Sequence, residues 1–468
     1  MIMWGIRLDK ECELSLRRQI YRGLREQILN GTLRAGESLP STRELSAGLN
    51  VSRSTVCEAY EMLIAEGYIT SSQGAPTRVA EGLSLAKKPE TVSRLEISSD
   101  PCYPVDFRTG RPDLRLFPRF LWQQTINKAL EEMTEVQYGY TGAQGSPELR
   151  TEISAWLFRS RGLSVEAGDI FITQGATHAL HLVAELIAER GGDILIEDPC
   201  HIGMLHTLEN KGCRLIPVAA DQSGIQTSKL SNCKFGAVYV TPSHQFPLGG
   251  ILPATRRADL IRYTRENDAY IIEDDYDSEF RFCGEPIAPL QTMDPQRVIY
   301  VGTFSKSVYP ALRIGYVILP AVLQKQWLRL RTYHDVQNPM LEQAALAMFL
   351  RNRELDRHVQ KMRRIYGERR KVLLESLTRT FGRDWQVYGD DSGLHLTVDF
   401  PEFQFDDDFR KSALDQGINI SPLEHHCILK GRHKTKLLIG YGHLEPEEIR
   451  HGVSALGGHI RSYFCVEI

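Results

Sequence analysis

Seven short apolar runs constrain the fold of this chain more than anything else in it. They are DIFIT (169–173), DILIED (193–198), CRLIPV (213–218), GAVYVT (236–241), YIIEDD (270–275), RVIYVG (297–302) and RIGYVIL (313–319). Each has the length of one strand, and most are apolar at nearly every position rather than at every second one. Strands of that kind bury both faces. Helical stretches lie between them, such as HALHLVAELIAE (178–189). The alternation predicts a mainly parallel sheet covered by helices on both sides. Ligand sites on such sheets lie in the loops after the strand ends.

Four features sit in those loops. TQGATHAL (173–180) follows a strand and opens a helix. Its small residues let backbone N–H groups approach an anion at the helix start, although a plain strand–helix turn fits equally well. In YIIEDDYDSEF, Asp274 ends a strand and Tyr276 follows by two, so both point the same way in extended chain. A buried carboxylate there can hold a ring nitrogen protonated, and a phenol can donate to an anionic ring oxygen. No partner at metal-ligand spacing accompanies this acidic cluster, so no metal is expected. GTFSKSVYPALRIGY (302–316) places Lys306 among the hydroxyls of Thr303, Ser305 and Ser307, with Arg313 as a planar phosphate donor. Imine chemistry needs a lysine that is neutral part of the time, which burial and nearby cations favour. TPSHQFPLGG (241–250) forms a turn after the strand that precedes the aspartate strand.

The first eighty residues follow a different pattern. Leu16, Ile20, Leu24 and Ile28 form one helical stripe. Ser41 and Glu44 make a capping box for a short helix with Leu45 and Leu49 inward. Ser52 then caps a third helix, with Val51 and Val56 as a hydrophobic staple. Val56, Ala59, Leu63 and Ile64, or Tyr60 beside it, give its buried face. Two short helices joined by Asn50 and Val51 read as a helix-turn-helix. In that motif the start of the second helix reaches bases and phosphates, a role suited to Ser52, Arg53, Ser54 and Thr55. YIT and TRV after Gly67 can pair as a small wing, with Gln73, Gly74 and Arg78 near its tip.

Residues 81–105 show no sustained period and read as a linker, or as an arm lying on the next domain. The segment from 106 to 468 is then the large domain. Net charge is −3, and residues 1–80 carry ten Lys/Arg against nine Asp/Glu, so any DNA contact depends on local placement of arginines. Nine scattered cysteines, odd in number and without a CxxC pair, argue against disulfides and zinc. No run reaches the roughly 18 apolar residues of a membrane span, and MIMWGIRLDKECE lacks a signal-peptide core. A cytoplasmic protein is expected.

The run LPSTREL…VSRSTVCEAYEMLIAEGY resembles the winged helix-turn-helix (α+β) of GntR-family bacterial repressors. The resemblance implies DNA contacts from Ser41, Arg43, Ser52, Arg53 and Thr55. The loops of the large domain resemble those of fold-type I aminotransferases, α/β enzymes that use pyridoxal 5′-phosphate (PLP). That likeness implies a smaller C-terminal α+β subdomain at about 335–468. It makes Lys306 the Schiff-base lysine, pairs Asp274 with the pyridine nitrogen and sets Tyr276 on the 3′-oxygen. Ala176, Thr177, Thr303, Ser305 and Arg313 then hold the phosphate, and His201 falls where an aromatic ring stacks on the cofactor. The two halves together resemble MocR/GabR-type transcriptional regulators. This implies a domain-swapped homodimer on promoter DNA, with aldimine chemistry at Lys306 sensing an amine or amino-acid effector, or PLP itself. In KLLIGYGHL, Leu438 takes the place of the usual substrate arginine. The arginines of GABA-sensing members match Gly203 and His425, with Arg432 or Lys434 near enough to reach in. Ala311 and Leu248 also replace the usual Gly and Thr. Two readings remain: a PLP-dependent regulator with at most a residual half-reaction, and an active aminotransferase carrying a DNA-binding head.

Overall fold

The computed structural model describes residues 5, 6, 8, 9, 12, 14–72, 75–82, 103–230, 235–282, 284–389 and 391–464. The wing-tip residues Gln73 and Gly74, most of the expected linker, and Cys102, Cys233, Cys283 and Cys465 lie outside them. The chain divides into two compact units, Met1–Pro101 and Cys102–Ile468.

The first unit holds α1 (Leu16–Leu29), α2 (Thr42–Leu49), α3 (Arg53–Ala65), β1 (Ile69–Thr70) and β2 (Arg78–Val79). The apolar stripe of α1 buries Ile20, Leu24 and Ile28. Ser41 caps α2 in a full capping box, and Asn50 ends that helix in the left-handed region. Ser52 caps α3 by accepting from the Thr55 N–H at 3.1 Å. Tyr60, not Ile64, completes the buried face of α3. Its hydroxyl donates to the Pro40 carbonyl, whereas Ile64 stays 43% exposed. Antiparallel pairing of Ile69 with Val79 and Thr70 with Arg78 makes the small wing.

The second unit opens with β3 (Val105–Asp106). Next come α4 (Arg119–Glu132), α5 (Pro147–Arg161), β4 (Ile170–Thr173), α6 (Ala176–Arg190), β5 (Asp193–Asp198) and α7 (Ile202–Glu209). They are followed by β6 (Leu215–Asp221), β7 (Gly224–Ile225), β8 (Phe235–Val240), α8 (Ala254–Glu266), β9 (Tyr270–Asp275), β10 (Val298–Thr303) and β11 (Gly315–Ile318). The sheet runs β4-β11-β10-β9-β8-β5-β6-β7. Its middle is parallel, while β11 runs antiparallel to both β4 and β10. Alternate side chains of one strand enter different cores. Ile194 and Ile196 pack under α6, whereas Leu195 faces α8. Ile272 and Ile271 divide the same way. This is the two-sided burial expected of near-continuous apolar strands.

A second sheet, antiparallel, is made of β12 (Gln386–Tyr388), β13 (His395–Asp399), β15 (Ser421–Pro422) and β16 (Lys436–Gly440), in the order β12-β13-β16-β15. Strand β14 (Ile418–Asn419) pairs in parallel with β3. The end of the expected linker is therefore already structured. Val105 is apolar and only 6% exposed, and its strand hydrogen-bonds into the C-terminal layer.

Candidate cofactor and effector site

The carboxyl ends of β4, β8, β9 and β10, with the start of α7, surround a cavity of ≈300 Å³. Asp274 stands near the end of β9, paired in register with Val301 of β10. The Tyr239 hydroxyl donates to its Oδ2 at 2.7 Å. Its Oδ1 is buried and has no hydrogen-bond partner. Burial, opposed by the Tyr239 hydrogen bond and reinforced by Asp275, pushes the carboxyl up to about 7. A carboxylate held in this way needs a donor facing Oδ1.

Lys306 follows β10, and its ammonium donates to the Gly110 carbonyl. Burial pushes the amine down, and the charge of Asp277 partly restores it. Thr303 Oγ1 and Ser305 Oγ lie 2.9 Å apart, and the Ser305 N–H donates to Thr303 Oγ1. At the start of α6, Gly175 takes φ +81°, open to glycine at little cost. A Cβ there would lie 2.8 Å from Arg313 Nη2. That clearance lets the Arg313 guanidinium approach the start of α6, where it donates to the Gln174 carbonyl at 2.9 Å. Arg313 itself has φ 52°, a left-handed conformation uncommon outside glycine.

Lys306, Asp274, Tyr276, Ala176, Thr177, Thr303, Ser305, Arg313 and His201 all line this one cavity. The donor set suits a phosphopyridine aldehyde. Asp274 Oδ1 lacks the donor that a protonated ring nitrogen supplies. The hydroxyls, helix start and guanidinium form an anion cradle. The Lys306 amine is depressed by burial.

His425 and Arg432 are not among the cavity-lining residues. His425 Nε2 lies 2.6 Å from the Asp407 carboxylate. Arg432 lines a separate groove of ≈630 Å³ with Lys436 and Arg256. The His426 carbonyl accepts from the Cys200 N–H at 2.9 Å, which fixes this loop so that His426, one residue later, turns inward. Its ring centroid lies 5.1 Å from that of Phe246, and His395 stands equally close on another side. His201 is 5.4 Å from the same ring. Gly203 lines the cavity, whereas Leu438 is wholly buried in an apolar cluster with Ala220, Leu248, Leu423 and Cys427.

His244, Asp277 and His395 place potential ligand atoms within 4.8 Å of one another. His244 Nδ1 is already bonded to Asp277 at 2.8 Å, and His395 Nε2 meets the Pro247 carbonyl at 3.3 Å. His244 and Asp277 form a hydrogen-bonded pair with the His395 ring 5.1 Å from that of His244, a group that the sequence reading did not single out. Both His244 and Asp277 lie in quoted loops, but nothing in their spacing pairs them.

In the first unit, Arg53 Nε donates to Thr42 Oγ1 at 3.2 Å, drawing the starts of α2 and α3 together. Ser41, Arg43, Ser52 and Arg53 are exposed there, and Thr55 is half-buried. Two helix starts and two guanidinium groups make a phosphate-seeking edge.

Residues 115–456 match the family described as aminotransferase class I and II, and residues 16–79 match the gntR family of bacterial regulatory proteins. The chain is 32% identical to the probable rhizopine catabolism regulatory protein MocR of Rhizobium meliloti, over 96% of this chain and 94% of that one. It is also 32% identical to the pyridoxine biosynthesis transcriptional regulator PdxR of Corynebacterium glutamicum, over 95% and 96%. An archaeal alanine:glyoxylate aminotransferase superposes with a TM-score of 0.71 at 25% identity, covering 76% of this chain and 91% of that one. LysN, an α-aminoadipate aminotransferase from Thermus thermophilus, gives 0.70 at 24%, covering 77% and 93%. The chain therefore belongs to the aminotransferase class I and II family, in the MocR-type branch that joins this fold to a gntR-family helix-turn-helix head.

Proposed function

We propose that this protein is a PLP-dependent transcriptional regulator that binds promoter DNA and responds to an amine or amino-acid effector, or to PLP itself. One observation carries the reading. A buried carboxylate with one oxygen lacking a donor and a lysine amine depressed by burial share one cavity, on a chain that also bears a gntR-family head. Asp274 would hold the ring nitrogen, Tyr276 the 3′-oxygen, and Arg313 with Ala176, Thr177, Thr303 and Ser305 the phosphate. When bound, PLP supplies an aldehyde that can exchange the Lys306 amine for the amine of an effector. The protein's part is to bind, orient and exclude water, and to favour one conformation over another as the occupant changes. Any difference in affinity between two conformations becomes a difference in promoter affinity. Assembly as a domain-swapped homodimer, with two heads on two half-sites, belongs to the same proposal.

An active aminotransferase is the second reading, favoured by the completeness of the Lys306–Asp274–Arg313 set. The missing substrate arginine at Leu438 favours the regulator. Lys306→Ala tests both. The unmodified protein mixed with PLP should develop a visible band that the variant lacks. Amine effectors should shift that band and alter promoter binding without multiple turnover. Turnover at about 1–10³ per second would establish the enzyme instead.

A further inference from the structure

His244 Nδ1 stands 2.8 Å from Asp277 Oδ1 and 3.0 Å from the Tyr276 hydroxyl. Both His244 and Asp277 are 2% exposed. A single ring nitrogen cannot donate to one neighbour and accept from the other. An ionised carboxylate only accepts. Were the Nδ1 lone pair turned towards Asp277, two acceptors would face each other in a dry site at hydrogen-bond distance. The proton therefore sits on Nδ1, shared chiefly with Asp277 and partly with the phenolic oxygen. His244 Nε2 is buried without a partner and favours neither tautomer.

The consequence falls on Tyr276. Its O–H cannot donate to a nitrogen that already carries a hydrogen. Burial, then the charges of Asp277 and Asp274, push the phenol well up, so it keeps its proton. Tyr276 lines the Lys306 cavity. Its hydroxyl proton is thus left for an acceptor in that cavity. His395, whose ring lies 5.1 Å from that of His244, is pushed down to about 4 by burial and adds no charge near neutral pH. The arrangement also depends on Gly393. A Cβ there would lie 2.2 Å from His244 Cε1 and 2.6 Å from Asp277 Oδ2.

We propose that Asp277 and His244 are positioning residues that fix the Tyr276 hydroxyl as a donor to an anionic oxygen in the Lys306 cavity. This rests on the cofactor reading above, in which that oxygen is the 3′-oxygen of PLP.

The direct test uses the full chain, free of cofactor and labelled with ¹⁵N-histidine. An Nδ1–H tautomer at His244 supports the proposal, and an Nε2–H tautomer overturns it. The second test titrates the visible band of the PLP-loaded protein. A phenol donating to the 3′-oxygen draws off density that otherwise holds the proton shared with the lysine nitrogen. Losing that donor raises the titration midpoint, by about one pH unit. His244→Phe and Tyr276→Phe should both show this rise, and the double variant no more than either alone. His244→Asn, whose amide N–H can replace Nδ1–H, should restore the original midpoint. Additive shifts, or Asn behaving as Phe, overturn the proposal.

Circular dichroism reports folding of each variant. Should His244→Phe not fold, Asp277→Asn in the labelled protein decides: loss of the Nδ1–H preference supports the proposal and an unchanged tautomer overturns it. One equivalent of zinc on the purified chain, lost in His244→Asn, would also overturn it, because the metal would take the Nδ1 lone pair. An unmodified protein that gives no visible band with PLP sinks the cofactor reading, while the labelled spectrum still decides the direction of the hydrogen bond.

Discussion

Asp274→Asn should make the cofactor-free protein more stable, and only at higher pH. The Asp274 carboxyl rises from an ordinary 3.8 to about 7 in the fold, chiefly through burial. Below pH 3.8 the group is protonated whether the chain is folded or not, and it costs nothing. Between 3.8 and 7 the unfolded chain releases the proton and the folded chain keeps it, so stability falls as pH rises. Above 7 the whole cost is present. At about 1.4 kcal/mol per pH unit it has a ceiling of about 4 kcal/mol. Asparagine is neutral, and its Oδ1 can still accept from Tyr239. Denaturant unfolding followed by tryptophan fluorescence, from pH 4 to 8.5, measures the difference between the two proteins. The curves should converge at the acid end and separate by up to about 4 kcal/mol at pH 8. Saturating PLP should close the gap by stabilising the unmodified protein more than the variant, since only the carboxylate pairs with a protonated ring nitrogen. A variant equally sensitive to pH, or less stable throughout, would refute the view that Oδ1 is a carboxylate awaiting a donor.

Three further outcomes are expected. Arg53→Ala should weaken promoter binding about tenfold or more in fluorescence anisotropy, in line with about 1–3 kcal/mol for a base-reading arginine; unchanged affinity would remove the start of α3 from the interface. Ser52→Ala deletes the acceptor for the Thr55 N–H and should cost the head about 1 kcal/mol in denaturant unfolding, with no change in visible absorbance. Gly393→Ala combines φ +83° with a Cβ 2.2 Å from His244, and should cost about 2 kcal/mol or more by the same assay. A neutral result there would mean the His244–Asp277 contact is looser than it stands.

Much of this fold is legible in sequence because period and caps are local. The runs at 193–198 and 270–275 became strands with the same bounds, the other five did so with ends moved by at most three residues, and Ser41 and Ser52 cap the helices assigned to them. The Lys306 cavity was legible through strand ends, since a strand followed by a polar loop fixes where a side chain emerges. Contacts between loops were not. His244 and Asp277 are 33 residues apart and join across two loops, with His395 arriving from a strand of the second sheet. No periodicity links them. The His425 and His426 positions differ by one residue in a turn whose direction is set by the Cys200 N–H, a contact 226 residues away in sequence. Ile64 and Tyr60 differ for another reason: both lie near the inner face of α3, and the phenol prevails because Pro40 offers its hydroxyl an acceptor.

Detection and turnover ask different things of such a cavity. Exchanging one amine for another requires a neutral lysine for part of the time and room for an incoming amine. Transamination also requires the substrate to be held in one orientation, so that one bond at its α-carbon is aligned, and a bidentate clamp on its carboxylate supplies that. Among the described residues lining the cavity, Arg313 is the only arginine, and it stands beside Gly175 at the start of α6, where the proposal puts the phosphate. Leu438, where the resemblance to fold-type I aminotransferases implies a substrate arginine, is buried among Leu248, Leu423 and Cys427. Beside Phe246 the wall is formed by the imidazoles of His201 and His395, both pushed down by burial, His395 to about 4. Neutral imidazoles can hydrogen-bond an effector but offer no fixed cation. On the proposed reading, an effector would be admitted through its amine while its carboxylate is left loosely held. Amine exchange would survive that loss and an aligned bond would not, so the proposal expects binding spectra that change readily without accumulation of a keto product.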